Sequence, residues 1–446
     1  MNSPAGAAFT IDRPNNPSDH IPTRISEVAV MTAGFKNPLG RGTMITRRHL
    51  LGTAGAGAAL ALSGYRFAEA AGAGLTPGVP EGVGSVATME ALPGKKPLIK
   101  LSYRPPNYES PLETFRNPIT PNDEFFVRYH LADIPEIDAK TYKLKVGGDG
   151  AGTPIELTLD DLKKMPAFEV VAVNQCSGNR RGLSKPHVVG VEWGYGAMGC
   201  ARWKGARLKD VLEKAGIKKE AIEVAFDGAD GPVVDKTPDF VKSIPVWKAV
   251  DESTLIAYEM NGQPLPHWNG FPARIIVPGW TGTYWMKHVV AINALTQPQG
   301  GFWMNPAYRV PVGKFPIRDR FTSQENATST PITEMVVNSL ITSHRDSAKI
   351  NTGKVTVSGM AWDGGYGVNS VQVSTDGGKS WTSAKLGQDL GRFAFRPWSF
   401  DFTAKKGKNT VMVNATNKLG QSQTSELIFN PAGYHNNVMQ NITLNA

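Results

Sequence analysis

One short run of this sequence concentrates its reactive chemistry: Asn174, Gln175, Cys176, Ser177, Gly178, Asn179, Arg180, Arg181 and Gly182. A thiol set beside guanidinium groups is pushed toward thiolate, because fixed positive charge favours the ionised form. A thiolate is either a nucleophile or a soft metal ligand. Nucleophilic catalysis calls for a base such as histidine to take the proton. The eight histidines stand at 20, 49, 130, 187, 267, 288, 344 and 435, none of them close in sequence. A metal-ligand role needs only this one cysteine if a cofactor brings the remaining donors. The plainest alternative is a pair of buried thiols, or a disulfide between Cys176 and Cys200, the only other cysteine.

Two cysteines exclude a disulfide scaffold, a four-cysteine zinc site and an iron–sulfur cluster held by cysteines alone. No C-x-x-C-H occurs, so no haem is attached in the c-type manner. H-E-x-x-H, EF-hand, Walker A and G-x-S-x-G patterns are likewise missing from the sequence.

The elements that must position the cysteine read as follows. Phe168–Val173 is a β-rich run that delivers Cys176 near its end. Phe125–His130 reads as a strand, and Ala273–Val277 as a buried strand stopped by Pro278-Gly279. Thr158–Lys164 begins a short helix, with Thr158 as N-cap and Asp160-Asp161 in the first turn. Leu208–Ala215 is an amphipathic helix. Residues 71–115, rich in Pro, Gly and Leu, predict an extended arm lying over a mixed α+β domain at 116–324. Beyond this, Lys354–Met360, Ser370–Ser374, Lys379–Lys385 and Thr410–Thr416 are short strands. Turns at Asp363-Gly364-Gly365, Asp376-Gly377-Gly378 and Asn417–Gly420 separate them. That pattern predicts an immunoglobulin-like antiparallel β-sandwich over 325–446. The expected fold class is therefore α+β.

The chain of 446 residues is 41% hydrophobic and 20% charged, which places it among ordinary globular proteins and excludes disorder and membrane bundles. Its net charge is +9. Basic residues are dispersed, which argues against nucleic acid and leaves a small anionic substrate or an acidic protein partner. Thr46-Arg47-Arg48-His49-Leu50-Leu51-Gly52 is followed by an apolar Leu50–Gly64 stretch and by Ala68-Glu69-Ala70. These three parts, in order, predict a twin-arginine export leader over 1–70 and a periplasmic protein exported folded. The stretch is too short for a membrane anchor. That route raises the expectation of a bound cofactor.

The C-x-G-N-R-R core of Asn174–Arg181 resembles the molybdenum-ligand loop of the sulfite oxidase family. Phe126–His130 resembles that family's R-x-H strand. Ala257–Pro266 is similar to its A-Y-E-M-N-G-x-P-L-P stretch. Gly270–Arg274, Val277-Pro278-Gly279 and Lys287 resemble its cofactor-binding run. The likeness covers about residues 95–446, and is greatest to bacterial periplasmic sulfite dehydrogenases. It implies molybdenum with one molybdopterin as cofactor, Cys176 as the protein ligand to the metal, and Cys200 as a bystander. It implies Arg128 and Arg181 as substrate-anion arginines, Trp193 as a pocket wall and Tyr308 as the tyrosine reaching toward the metal. His130, Asp230, Asn269, Arg274 and Lys287 fall at positions that hold the pterin and its phosphate.

The implied reaction is oxidation of sulfite to sulfate, with electrons leaving singly to a c-type cytochrome, since this chain has no haem domain. The β-sandwich corresponds to a dimerisation domain, so a homodimer or a complex with a haem subunit is expected. Two departures stand out. Asn269 takes a place that is histidine in some relatives. The stretch Gly433–Asn441 lacks an arginine that animal enzymes carry, leaving His435 as a candidate for part of that charge. Two other readings compete: a molybdopterin enzyme acting on another sulfur compound or reducing a sulfoxide, and a secreted non-enzymatic β-sandwich binding protein.

Overall fold

The structure is a computed structural model that describes residues 89–446. The leader at 1–70 and the first part of the arm lie outside the described residues. From Met89 onward the arm does more than cover a domain. Its strands Met89–Glu90, Leu98–Ser102 and Asn107–Glu109 pair antiparallel and end on Val127–Arg128, with Asn107 opposite Arg128 and Tyr108 opposite Val127. The arm therefore builds the sheet edge that presents Arg128. The strand expected at Phe125–His130 shrinks to those two residues. Phe125, Phe126 and Val127 are buried in succession, so the run cannot alternate core and surface as a half-exposed strand does. Phe125 and Phe126 stack on each other at 5.4 Å instead.

Two five-stranded sheets follow. In one, the order is Lys242–Pro245, Glu223–Gly228, Val289–Leu295, Lys143–Gly147 and Ile155–Thr158, with a single parallel pairing between Val289–Leu295 and Lys143–Gly147. In the other, Ala167–Gln175 lies against Met198–Arg207, which pairs with Leu255–Met260, itself joined to Gln263–Pro264 and Arg274–Ile276. Trp203 and Trp285 pack edge to face at 5.7 Å in the core beside these sheets.

Helix is scarcer than a mixed α+β reading implies. Among the described residues the α-helices are Leu159–Lys164, Leu208–Lys214 and Val246–Ala249. The first is set by a capping box: Asp161 N–H donates to the Thr158 hydroxyl, and the Asp161 carboxylate accepts from the Thr158 N–H. The domain is mostly β because its apolar residues fall in short runs broken by Gly and Pro, too short for longer helices. None of the helices described is long and apolar enough to cross a membrane.

Beyond the connector, two antiparallel four-stranded sheets face each other. One orders Asn338–Ile341, Gly353–Trp362, Arg396–Ala404 and Lys385–Leu386; the other orders Thr382–Ser383, Val368–Ser374, Lys408–Asn417 and Gln440–Asn445. Val357, Val371, Val411, Val413 and Leu444 form the buried layer between them. Burying each such side chain contributes about 1.5–3 kcal/mol. The strand expected at Lys379–Lys385 is split: Thr382–Ser383 pairs with one sheet, and Lys385–Leu386 with the other. The chain switches sheets at Ala384, which its exposed, small and polar neighbours permit.

Candidate active site

Ala167–Gln175 pairs residue for residue with Met198–Arg207, the last pair being Gln175 with Met198, and this rigid ladder ends at Cys176. The Cys176 N–H donates to Ala197 O at 2.9 Å, and its carbonyl accepts from Asn179 N at 3.0 Å, closing a tight turn. A Cβ at Gly178 would sit 2.4 Å from an Arg181 guanidinium nitrogen, so a larger residue there would have to displace that side chain. Arg180 leaves the turn with φ of 69°. Both cysteines are free, which removes the disulfide reading. Cys200 is fully enclosed and its thiol is pushed up to about 12 by burial, so it is inert at neutral pH.

Cys176 opens on a cleft, and most of the residues singled out from the sequence meet there. Arg128, His130 and Tyr308 line one part; Asp230, Asn269, Arg274 and Lys287 line another. Arg128 is fixed by donating to Asn107 Oδ1 at 3.1 Å and to the Tyr129 carbonyl. Lys287 donates to the Arg128 carbonyl at 2.7 Å and sits 3.9 Å from the centre of the Tyr129 ring. Burial pulls its ammonium down to about 7 against the opposing charge of Asp230. Arg274 is held by Asn269 O at 2.9 Å and Trp285 O at 3.0 Å. Burial brings it down to about 9. Asp230 is pushed up by burial, with Lys287 opposing.

Three positions differ from the expectation. His130 is not a standing cation. Burial, then Arg128, Lys287 and Lys242, hold its imidazole well below the usual range, and Nε2 is hydrogen-bonded to the Tyr308 hydroxyl. Asn269 spends its side chain inside the protein, accepting from Lys95 Nζ at 2.6 Å and donating to Phe126 O at 3.2 Å. Trp193 is fully buried behind the cysteine loop, where its carbonyl accepts from Gly182 N at 3.0 Å, and it does not line the cleft.

Arg181 also stands just behind the lining. Its Nε donates to Ala432 O at 2.7 Å, Nη1 donates to Val191 O at 3.1 Å, and the guanidinium lies 5.3 Å from the Tyr434 ring centre. Its charge nevertheless reaches Tyr308, whose phenol is pushed up by burial and drawn back down by Arg128 and Arg181. His435 does not replace a missing cation. It is 3% exposed, burial brings it down to about 3, and it borders a separate cavity near Phe315 and Glu334.

Sequence reasoning missed several residues around Tyr308. Lys242 is 1% exposed, donates to Trp303 O at 2.7 Å and lies 5.1 Å from the Tyr308 ring centre. A lysine opening the buried strand Lys242-Ser243-Ile244-Pro245 was its one available signal. Phe240 stacks on His130 at 3.7 Å. Tyr434 stacks on Tyr308 at 5.6 Å and 10°, from a segment with no local pattern to announce it.

Among the described residues no group of three or more His, Cys, Asp or Glu side chains could hold a metal ion. A metal at Cys176 must then take its other donors from a non-protein group. The cleft suits such a group. Asn174 Oδ1, Ser177 Oγ, Thr283 Oγ1 and Arg274 Nε, all from lining residues, are buried without protein partners. Arg274 and Lys287 add positive charge suited to a phosphate.

Residues 130–303 match the oxidoreductase molybdopterin binding domain, and residues 329–446 match the Mo-co oxidoreductase dimerisation domain. The mitochondrial sulfite oxidase of Homo sapiens is 38% identical over 334 residues, covering 72% of this chain and 60% of that protein. The sulfite oxidase of Arabidopsis thaliana is 34% identical over 351 residues, covering 75% of this chain and 86% of its own. The NADH nitrate reductase of Hordeum vulgare is 31% identical over 377 residues, covering 78% of this chain and 41% of that protein. The sulfane dehydrogenase SoxCD of Paracoccus pantotrophus shares the fold, with a TM-score of 0.67 at 24% identity, covering 77% of this chain and 85% of that one. A chain identical to a sulfite oxidase at a third of the aligned positions, along most of that protein's length, is kin to it: this protein belongs to the sulfite oxidase family of oxidoreductases, and its cofactor is molybdenum carried by molybdopterin.

Proposed function

We propose that the protein is a sulfite dehydrogenase. Each sulfite takes an oxygen atom that derives from water and becomes sulfate, releasing two protons and two electrons. The bound molybdenum–molybdopterin supplies the two-electron redox chemistry. Cys176, held at the end of a rigid ladder, is the protein thiolate ligand. Arg274, Lys287, Asp230 and the backbone around Asn269 hold the pterin and its phosphate. Arg128 faces the sulfite anion, and Arg181, just behind the lining, adds positive charge that favours the charge building up as it reacts. The Tyr308 phenol, bonded to a neutral His130, holds or passes a proton beside the reacting anion. Trp193 backs the cysteine loop rather than touching substrate.

The observation that carries this reading is the convergence on Cys176 of Arg128 and Tyr308 from distant parts of the chain. Electrons then leave singly to a periplasmic c-type cytochrome through a small transient contact. Residues 1–70 act as the twin-arginine leader, 71–115 as the arm, 116–324 as the catalytic domain, and 325–446 as the dimerisation domain of a homodimer or of a complex with a haem subunit.

The test pairs molybdenum analysis with sulfite oxidation, using ferricyanide and cytochrome c as acceptors. Turnover with both is expected, and Cys176→Ser should abolish it while the fold persists. Molybdenum-loaded protein that reduces neither acceptor with sulfite overturns the proposal. Nitrate and a sulfoxide, offered with a reduced dye, test the reverse direction. His435 motivates that arm, because it borders a separate cavity and adds no charge to this cleft.

A further inference from the structure

The C-terminal segment packs against Tyr308, a residue that lines the cleft, and its geometry there is unusually constrained. Tyr434 is flanked by Gly433 and His435, with φ of 60° and 55°. The Asn430 side chain staples both sides of the tyrosine's own backbone, accepting from Tyr434 N at 3.0 Å and donating to Tyr434 O at 2.8 Å. A Cβ on Gly433 would meet Arg181 Cγ at 2.7 Å, so only glycine lets the segment pass this close.

The ring delivered in this way is 8% exposed. One contact is a near-parallel stack with Tyr308, at 5.6 Å and 10°. Another is the Arg181 guanidinium, 5.3 Å from the ring centre. Tyr308 has need of support, since its φ of 58° is costly for a bulky residue. Arg181 donates to two backbone carbonyls, Ala432 O and Val191 O, and the ring supports its guanidinium plane. Burial pushes the Tyr434 phenol up, and the charges that reach it are those of Tyr308, Arg181, Cys176 and Arg128.

We propose that Tyr434 is a positioning residue of the anion pocket, its ring being the shelf that fixes the Arg181 guanidinium relative to the Tyr308 phenol. The inference rests on the sulfite reading for the identity of the anion, and on geometry for the role. The β-sandwich thereby contributes to substrate affinity through an aromatic ring.

The experiment compares wild type, Tyr434→Phe, Tyr434→Leu and the volume-keeping Tyr434→Met as holoenzymes. Sulfite kinetics with ferricyanide and equilibrium binding of radiolabelled inorganic sulfate are read for each, with melting temperature as the fold control. A cation–π shelf supports a change of about tenfold. Tyr434→Phe should keep kcat/KM and sulfate affinity within about threefold of wild type. Tyr434→Leu and Tyr434→Met should raise KM and weaken sulfate binding about tenfold, with kcat changed less and melting unchanged. Wild-type values in both aliphatic variants overturn the proposal, as does a Tyr434→Phe variant as impaired as Tyr434→Leu. Affinity lost only in step with melting temperature also overturns it. If wild type does not oxidise sulfite but the variants still order sulfate binding as stated, the substrate reading fails and the positioning role stands. If wild type binds no sulfate, both fall.

Discussion

Arg180→Met is the sharpest test of whether the β-sandwich braces the cysteine loop. The guanidinium is 3% exposed. Its Nη1 donates to Asn338 Oδ1 at 2.8 Å, and its Nη2 to Val438 O at 2.6 Å. The Arg180 carbonyl accepts from Asn436 Nδ2 at 3.1 Å, and the Arg180 N–H donates to Gly194 O at 2.8 Å, so the backbone is tied on both sides. Two hydrogen bonds from a charged donor are together worth about 3–6 kcal/mol. Against this, removing a buried guanidinium that lies 5.1 Å from the Tyr195 ring centre returns a few kcal/mol of desolvation. Asn338 Oδ1 keeps Ser339 N and Gln423 Nε2 as donors, so Val438 O is the acceptor deprived of its side-chain donor. The net loss is about 2 kcal/mol, or about 4 °C of melting temperature at roughly 2 °C per kcal/mol for a chain of this size. The assay is thermal melting together with molybdenum content by mass spectrometry. Melting should fall by that amount and metal content should fall with it, because the loop that presents Cys176 is freed. Melting within about 1 °C of wild type together with full metal loading would refute the bracing argument.

Arg128→Met should raise the KM for sulfite by about tenfold or more, and Arg128→Lys should recover only part of it, read by steady-state kinetics at fixed ionic strength. Glu109 is buried, accepts from Gly194 N at 2.8 Å and is pushed up to about 8 by desolvation. Its folded pKa lies above its unfolded value, so its contribution to stability is present in full below about pH 4.5 and is lost as pH rises through 8. Glu109→Gln should flatten the fall in denaturation midpoint between those limits, and an unaltered slope contradicts this. Cys200 should resist iodoacetamide in the native protein, and Cys200→Ala should leave sulfite turnover unchanged, with a small loss of melting temperature.

How much of this was legible in advance depended on sequence distance. The β-rich run leading to Cys176 and the capped helix after Thr158 are local: strand-forming residues and cap chemistry announced them, and the structure has both, while the partner strand Met198–Arg207 had not been read from the sequence. The gathering of Arg128, Arg274, Lys287 and Tyr308 round one cleft came from the family resemblance, not from spacing. Arg181 and Trp193 were matched to the pocket, yet they stand behind its wall, a distinction of one side-chain layer that no pattern encodes. The strand at Phe125–His130 was overread because aromatic content was taken for pairing, while tertiary packing buried neighbouring residues on both sides. Lys242 and Tyr434 escaped notice because their significance lies in the rings they meet at Tyr308. Such contacts span tens of residues or more, and the polypeptide gives no nearby sign of them.

The hold of the sandwich on the cysteine loop also sets an order in time. Arg180 is secured by Val438, 258 positions further along the chain. During synthesis, the strand that carries Cys176 leaves the ribosome long before its brace exists. The loop that carries Cys176 therefore stays unbraced until the polypeptide has been made past residue 438. A ribosome that stalls short of Val438 leaves a chain in which the residues lining the cleft are already made and nothing braces the loop that carries Cys176.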